Sequence, residues 1–278
     1  MRRMQLGARL RRLREAKGVS REDAGWRIRA SESKISRMEL GRVGFKERDI
    51  ADLLTLYEVD DEERAALVAL AHEANTPGWW QPYGDLLSSR FQYYLDLEAA
   101  PSLIRSYEIQ FVPGLLQTEG YARAVIMLGH GDAGAAEIDR RVGLRMARKQ
   151  LLTRPDPPRL WAVIDEAVLR RPIGGPQVMR AQIAALAQAC ELPGVRLQVV
   201  PFEAGGHAAA GGAFSILRFP DEELPDVVYI EHLTSALYLE KREDIDAYAA
   251  VVGRLFIEAE PPARTPEILH KALRALDE

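Results

Sequence analysis

The side chains whose chemistry is easiest to name lie in the first 48 residues. These hold fifteen Lys and Arg against six Asp and Glu, a net charge of +9, while the whole chain carries −4. Residues 49–278 therefore carry −13. A basic head on an acidic body is the charge pattern that contact with a polyanion requires, and the donors in the head suit a nucleic acid. Arg37 can fork to guanine O6 and N7. Ser33 and Lys34 fall near a predicted helix N-terminus, where backbone N–H groups and the helix dipole favour phosphate. Arg21 opens another predicted helix. Arg42 and Lys46 lie in the loop beyond the third helix and are expected to touch phosphate.

Three short helices must position these groups. Leu6, Leu10 and Leu13 share one face of the first. Gly18 sits where a left-handed C-cap stops that helix, and Ser20 can N-cap the second. Ser31 can N-cap the third, and Gly41 ends it. Along Ser31–Leu40 the helical period turns Ile35 and Met38 inward and Glu32, Ser33, Ser36, Arg37 and Leu40 outward. Tight turns between three such helices present the third to a major groove. The assigned DNA-binding set is Arg21, Ser31, Glu32, Ser33, Lys34, Ser36, Arg37, Arg42 and Lys46.

The run from Leu6 to Gly41 resembles the XRE (Cro/C1-type) helix-turn-helix family. The likeness rests on the Leu6-Gly7 opening, the Arg14 to Gly18 spacing, Ile35-Ser36-Arg37 and Glu39-x-Gly41. It implies a five-helix domain that binds operators as a dimer, with Arg14 and Glu39 as a structural ion pair joining the first and third helices. Two positions depart from the family pattern. Arg21-Glu22-Asp23-Ala24-Gly25 replaces the usual start of the second helix, and Arg29 stands where many members have Gly.

Composition bounds the remainder. A chain of 278 residues with 47% hydrophobic content can bury sizeable cores. One cysteine, Cys190, excludes a disulfide framework and fits a reducing, cytoplasmic location. No apolar run is long enough to span a bilayer, and no secretion signal is expected. Residues 1–75 read as the helix-turn-helix domain, with fourth and fifth helices at Phe45–Tyr57 and Asp60–Ala74. Residues 76–100 read as an ordered connector, where Trp79 and Trp80 anchor a core and Ser88–Ala99 forms a helix. Residues 101–278 read as an α+β domain.

In that domain Ser102–Phe111 leans to strand, and Thr118 caps a helix through Ile126. Ala135–Leu152 reads as a charged helix. Leu160–Asp165, Val178–Ala189 and Val195–Pro201 suggest a parallel strand–helix–strand crossover. Phe214–Phe219, Val227–Glu231 and Ala236–Glu240 suggest an antiparallel meander. Ile245–Ala259 and Pro266–Leu276 close the chain as helices. The expected fold class is α+β: an all-α five-helix head plus a mixed-sheet domain of about five strands.

Asp165, Glu166, His207, Glu231 and His232 are the sharpest ionisable residues of this domain, and paired acids beside a His and glycines could form a hydrolytic or metal site. The chain has no Gly-x-Ser-x-Gly elbow, no His-Glu-x-x-His, no Cys/His ligand spacing and no P-loop. Gly205-Gly206-His207 to Gly211-Gly212 leads from strand to strand and so lacks the helix N-terminus that holds phosphate. The expectation is no enzyme, no cofactor and no metal. Glu166, Arg170, His207 and Glu231 border strand ends, where loops usually bind, and are taken as the effector or partner contact.

Longer strings resemble the actinobacterial WhiJ-like regulators. They are Val112 to Ala124, Asp165 to Gly175, Gln198 to Phe202 with Gly205-Gly206-His207, and Val227 to Glu231. The likeness implies a helix-turn-helix head, a C-terminal domain of poorly defined function and a link to a small separate protein. Two readings stay open. One is a DNA-binding transcriptional regulator, a homodimer whose C-terminal domain dimerises, senses a partner, or both. The other is an antitoxin-like protein that chiefly binds a small partner encoded nearby and uses double-stranded DNA for autoregulation. A small-molecule effector is unidentified on either reading, and no membrane is involved.

Overall fold

The computed structural model describes residues 2–76, 78–209, 211–221 and 224–276. The chain forms two compact units: Met1–Pro82 with Phe91–Ala99 and Asp221–Leu224, and Tyr83–Arg90 with Ala100–Pro220 and Pro225–Glu278.

The first unit is helical: α1 (Arg2–Ala16), α2 (Arg21–Arg27), α3 (Glu32–Glu39), α4 (Glu47–Leu56), α5 (Asp61–Asn75) and α6 (Ser89–Glu98). Leu6, Leu10, Ile35, Met38, Ile50, Leu53, Leu54, Tyr57 and Leu67 fill its core. Ser20, Ser31 and Asp60 each accept a backbone N–H three residues on, which satisfies a donor that a helix start leaves open. Helix α4 starts later than its periodicity suggests. Phe45 is buried ahead of it, where Asn75 pairs with its backbone N–H at 2.9 Å and with its carbonyl. Helix α1 crosses α3 at Gly7, where a Cβ would stand 2.5 Å from the carbonyl oxygens of Met38 and Glu39.

The second unit is built on a six-stranded mixed sheet, one strand more than expected, in the order β3-β2-β1-β4-β5-β6. The strands are β1 (Leu103–Glu108), β2 (Arg159–Asp165), β3 (Val195–Val200), β4 (Phe214–Arg218), β5 (Val227–Glu231) and β6 (Ala236–Leu239). β1, β2 and β3 run parallel, and β4, β5 and β6 add as an antiparallel meander. The helices are α7 (Glu119–Gly129), α8 (Ala135–Lys149), the short α9 (Ala167–Arg170), α10 (Pro176–Ala189), α11 (Arg242–Glu258) and α12 (Thr265–Arg274). Strand alternation gives the sheet two faces. Tyr107, Val163, Phe214, Ile216, Val228 and Ile230 form a core with Val252 and Leu255 of α11 on one of them. Helix α11 begins three residues earlier than the apolar pattern suggests. Glu243 and Asp244 lie in its first turn, where acids suit the dipole although they break the apolar rhythm. Among the described residues, no helix is long and apolar enough to cross a membrane.

Candidate nucleic-acid interface

Helix α3 turns Ile35, Met38 and Glu39 into the core, and leaves Ser31, Glu32, Ser33 and Arg37 exposed. Lys34, Ser36 and Leu40 are half-buried at its margins. The Arg37 Nε donates to the Ser33 carbonyl at 3.3 Å, which lays its guanidinium along the exposed face. Arg42 and Lys46 are exposed beyond the C-cap, and Lys46 is the N-cap residue of α4. Trp26 of α2 is 83% exposed, a large apolar surface the sequence reading did not assign.

The turn between α2 and α3 accounts for Gly25 and Arg29 among the positions that depart from the family pattern. The Arg29 N–H bonds to the Trp26 carbonyl, and the Ala30 N–H reaches back to Gly25 at 2.8 Å. This double closure requires a left-handed residue after the helix, and Arg29 supplies it at φ +54°. Gly18 and Gly41 fill the same role after α1 and α3, at φ +64° and +65°. Gly25 cannot be exchanged for Ala without movement, since a Cβ there would lie 2.8 Å from the Ala30 carbonyl oxygen. The weak helix former is the cost of a tight turn.

Charge fixes the same turn from beneath. The Glu39 side chain is only 2% exposed and accepts from Arg14, itself 8% exposed, through both carboxylate oxygens. The pair ties α1 to α3, as the family likeness implies. Arg21 adds a third strut, with its Nε 2.9 Å from Glu39 Oε2. Hydrogen bonding to Glu39 outweighs burial and raises the Arg14 pKa. Lys34 is likewise committed, its ammonium 2.5 Å from the buried Asp49 of α4. Arg21 and Lys34 thus brace the motif, and their side chains are only partly exposed.

The residues singled out in the second unit lie along the carboxyl edge of the sheet but fall into separate groups. Glu166 pairs with Arg170 at 2.7 Å and accepts the Phe202 N–H at 3.0 Å. That bond and Arg170 hold its carboxyl below the usual range although burial opposes them. His207 sits 2.9 Å from the buried Tyr107 hydroxyl and 3.9 Å from Asp165, on the α11 face. The Ala209 N–H donates to its Nδ1 at 3.2 Å, so a neutral ring carries its proton on Nε2. Glu231 lies on the opposite face with Tyr229. There burial, and then the Glu231 charge, push the Glu108 carboxyl up to about 7. Sequence reading missed Glu108 because nothing local marks it; only the pairing of β1 and the meander brings it near Glu231. Among the described residues no group of three or more His, Cys, Asp or Glu is placed to hold a metal ion.

Comparison with known proteins finds two family models along the chain. A family model described as "Helix-turn-helix domain" matches residues 5–67, which supports DNA binding and a role in transcription regulation. No curated protein and no solved structure matches the chain. The larger match, over residues 91–271, shows that the chain belongs to the family described as "Domain of unknown function (DUF5753)".

Proposed function

We propose that the chain is a sequence-specific, DNA-binding transcriptional regulator of the WhiJ-like group, which acts as a homodimer and performs no catalysis. The observation that carries this reading is α3: a helix capped by Ser31, braced from below by Glu39, Arg14, Arg21, Lys34 and Asp49, with Ser33 and Arg37 exposed. A bracing set of this kind holds a recognition helix rigid, so that less ordering entropy is lost on docking. Ser31, Glu32, Ser33, Ser36 and Arg37 read base edges, while Arg42, Lys46, Arg21 and Lys34 hold phosphates. The two heads of a dimer engage half-sites one helical turn apart.

The second domain is the sensor in this reading. Its carboxyl edge gathers Glu108, Asp165, Glu166 and Glu231, and residues 49–278 carry −13. That edge suits a small basic partner protein. Gel-shift titration of full-length protein on its own upstream DNA, with and without the product of the adjacent reading frame, tests both parts. The reading expects retardation of upstream but not scrambled duplex, and an altered affinity when the partner is added. Equal binding to both duplexes would remove the regulator reading, and an unchanged affinity would remove the sensor.

A further inference from the structure

The sheet is electrically polarised. Its carboxyl edge is acidic, but the opposite end of the α11 face carries an arginine from each of four adjacent strands. Register places them together. Arg105 on β1 pairs with Trp161 on β2, and Trp161 with Arg196 on β3. Arg105 also pairs with Ile216 on β4, and Leu103 pairs with both Arg159 and Arg218. Residues two apart share a face, so Arg105, Arg159, Arg196 and Arg218 all project from one side. Arg218 and Arg159 stand two strands apart, about 10 Å at ordinary strand spacing, and Arg105 lies on the strand between them, two residues further along.

This cluster is short of counter-charge. Asp226 pairs with Arg218 at 2.9 Å. Among the described residues, Arg105, Arg159 and Arg196 form no ion pair. Arg196 instead lies over the Trp161 ring, 5.3 Å from its centroid, and that ring stacks on Phe256 of α11 at 3.7 Å. The Arg105 Nε is shielded from solvent and has no hydrogen-bond partner. Burial, and then the charges of Arg218 and Arg159, depress the Arg105 pKa, against the pull of Asp226. A buried donor without an acceptor, pressed by like charges, is costly. Among the described residues, four guanidiniums stand against one carboxylate, an excess of three positive charges, in an acidic part of the chain.

We propose that Arg105, Arg159, Arg196 and Arg218 form a binding site for a phosphorylated small molecule. Guanidinium forks match phosphate oxygens in pairs, and a phosphate ester or diphosphate carries enough charge to offset the excess. Arg105 provides the recessed floor and the others the rim. The site lies at the opposite end of the sheet from the acidic edge, so it is separate from the partner contact proposed above.

Calorimetric titration of the full chain with pyrophosphate and with inorganic phosphate, at fixed ionic strength set by chloride, tests this. The expected result is saturable binding, tighter for pyrophosphate. It weakens tenfold or more in Arg105→Gln and in Arg159→Gln, and is unchanged in Lys241→Gln, a substitution outside the cluster. Arg159 is exposed at the first position of its strand, so its variant decides the matter if Arg105→Gln does not fold. Absence of saturable binding, or binding retained in Arg159→Gln, overturns the proposal. A parallel arm uses duplex DNA. If neither phosphate probe binds but Arg159→Gln weakens the duplex complex, the patch is a DNA contact and the small-molecule site is refuted.

Discussion

Replacing Glu39 by Ala should unfold the helix-turn-helix locally before it alters any DNA contact. The Arg14 side chain is 8% exposed and the Glu39 side chain 2%, so the substitution strands a guanidinium in the core. Removing one partner of a buried pair costs about 3–5 kcal/mol. The lower end applies here, because Arg14 keeps its bond to the Val19 carbonyl at 3.0 Å. Arg21 adds little: its side chain is 34% exposed, and such pairs contribute about 0–1 kcal/mol. A loss of about 3 kcal/mol corresponds to roughly a 150-fold loss of protection. Amide hydrogen exchange of the full-length chain, read in α1 and α3, measures this without assuming that both units unfold together. The double variant Arg14→Met, Glu39→Leu should recover most of the loss, because apolar residues of similar volume often replace a buried pair at no cost. A Glu39→Ala cost below about 1 kcal/mol, or no recovery in the double variant, would refute this view of the brace.

Three further outcomes follow from the structure. The Glu108 carboxyl titrates at about 7 in the folded chain, above its ordinary 4.5. The folded state therefore holds a proton that the unfolded chain has released, and stability falls as pH climbs from about 4.5 to 7, by up to about 3 kcal/mol. Urea midpoints at pH 5 and pH 8 should show this fall in the parent protein and a smaller one in Glu108→Gln; equal falls would sink the assignment. Arg29→Gly should raise the melting temperature, since a left-handed residue with a side chain costs about 1–2 kcal/mol relative to Gly, whereas Gly25→Ala should lower it despite the better helix propensity of Ala. Changes of the opposite sign would show that the turn has another geometry. In filter binding, Arg42→Ala should weaken all duplexes alike, while Arg37→Ala should also lose about 1–3 kcal/mol of discrimination at one base position.

The head is the more legible part of the sequence because its signals are local. Ser20, Ser31 and Asp60 cap the helices that their types and positions imply, and Gly18 and Gly41 adopt the left-handed backbone that ends α1 and α3. Arg29 illustrates the limit. The hydrogen bonds of the turn set its positive φ against its own preference, and composition does not reveal it. In the second unit the strands were readable, as were the parallel β2–β3 pair and the antiparallel meander of β4, β5 and β6, but not the place of β1. Strand β1 sits between β2 and β4, and that placement assembles four arginines spread from position 105 to position 218. Glu108 was hidden for the same reason. The second role of Lys34, a bond of its ammonium to Asp49 at 2.5 Å, was hidden because only the packing of α4 brings the two together.

On the proposed function, the head reads DNA through phosphate contacts arranged around α3. The most direct measurement is the affinity of the full-length protein for its upstream duplex across a series of salt concentrations, with a scrambled duplex alongside. Log K should fall linearly with log salt by about 0.9 per phosphate contact. The gap between the two duplexes should persist at each salt and narrow in Arg37→Ala. An affinity independent of salt, or identical for the two duplexes, would contradict that reading.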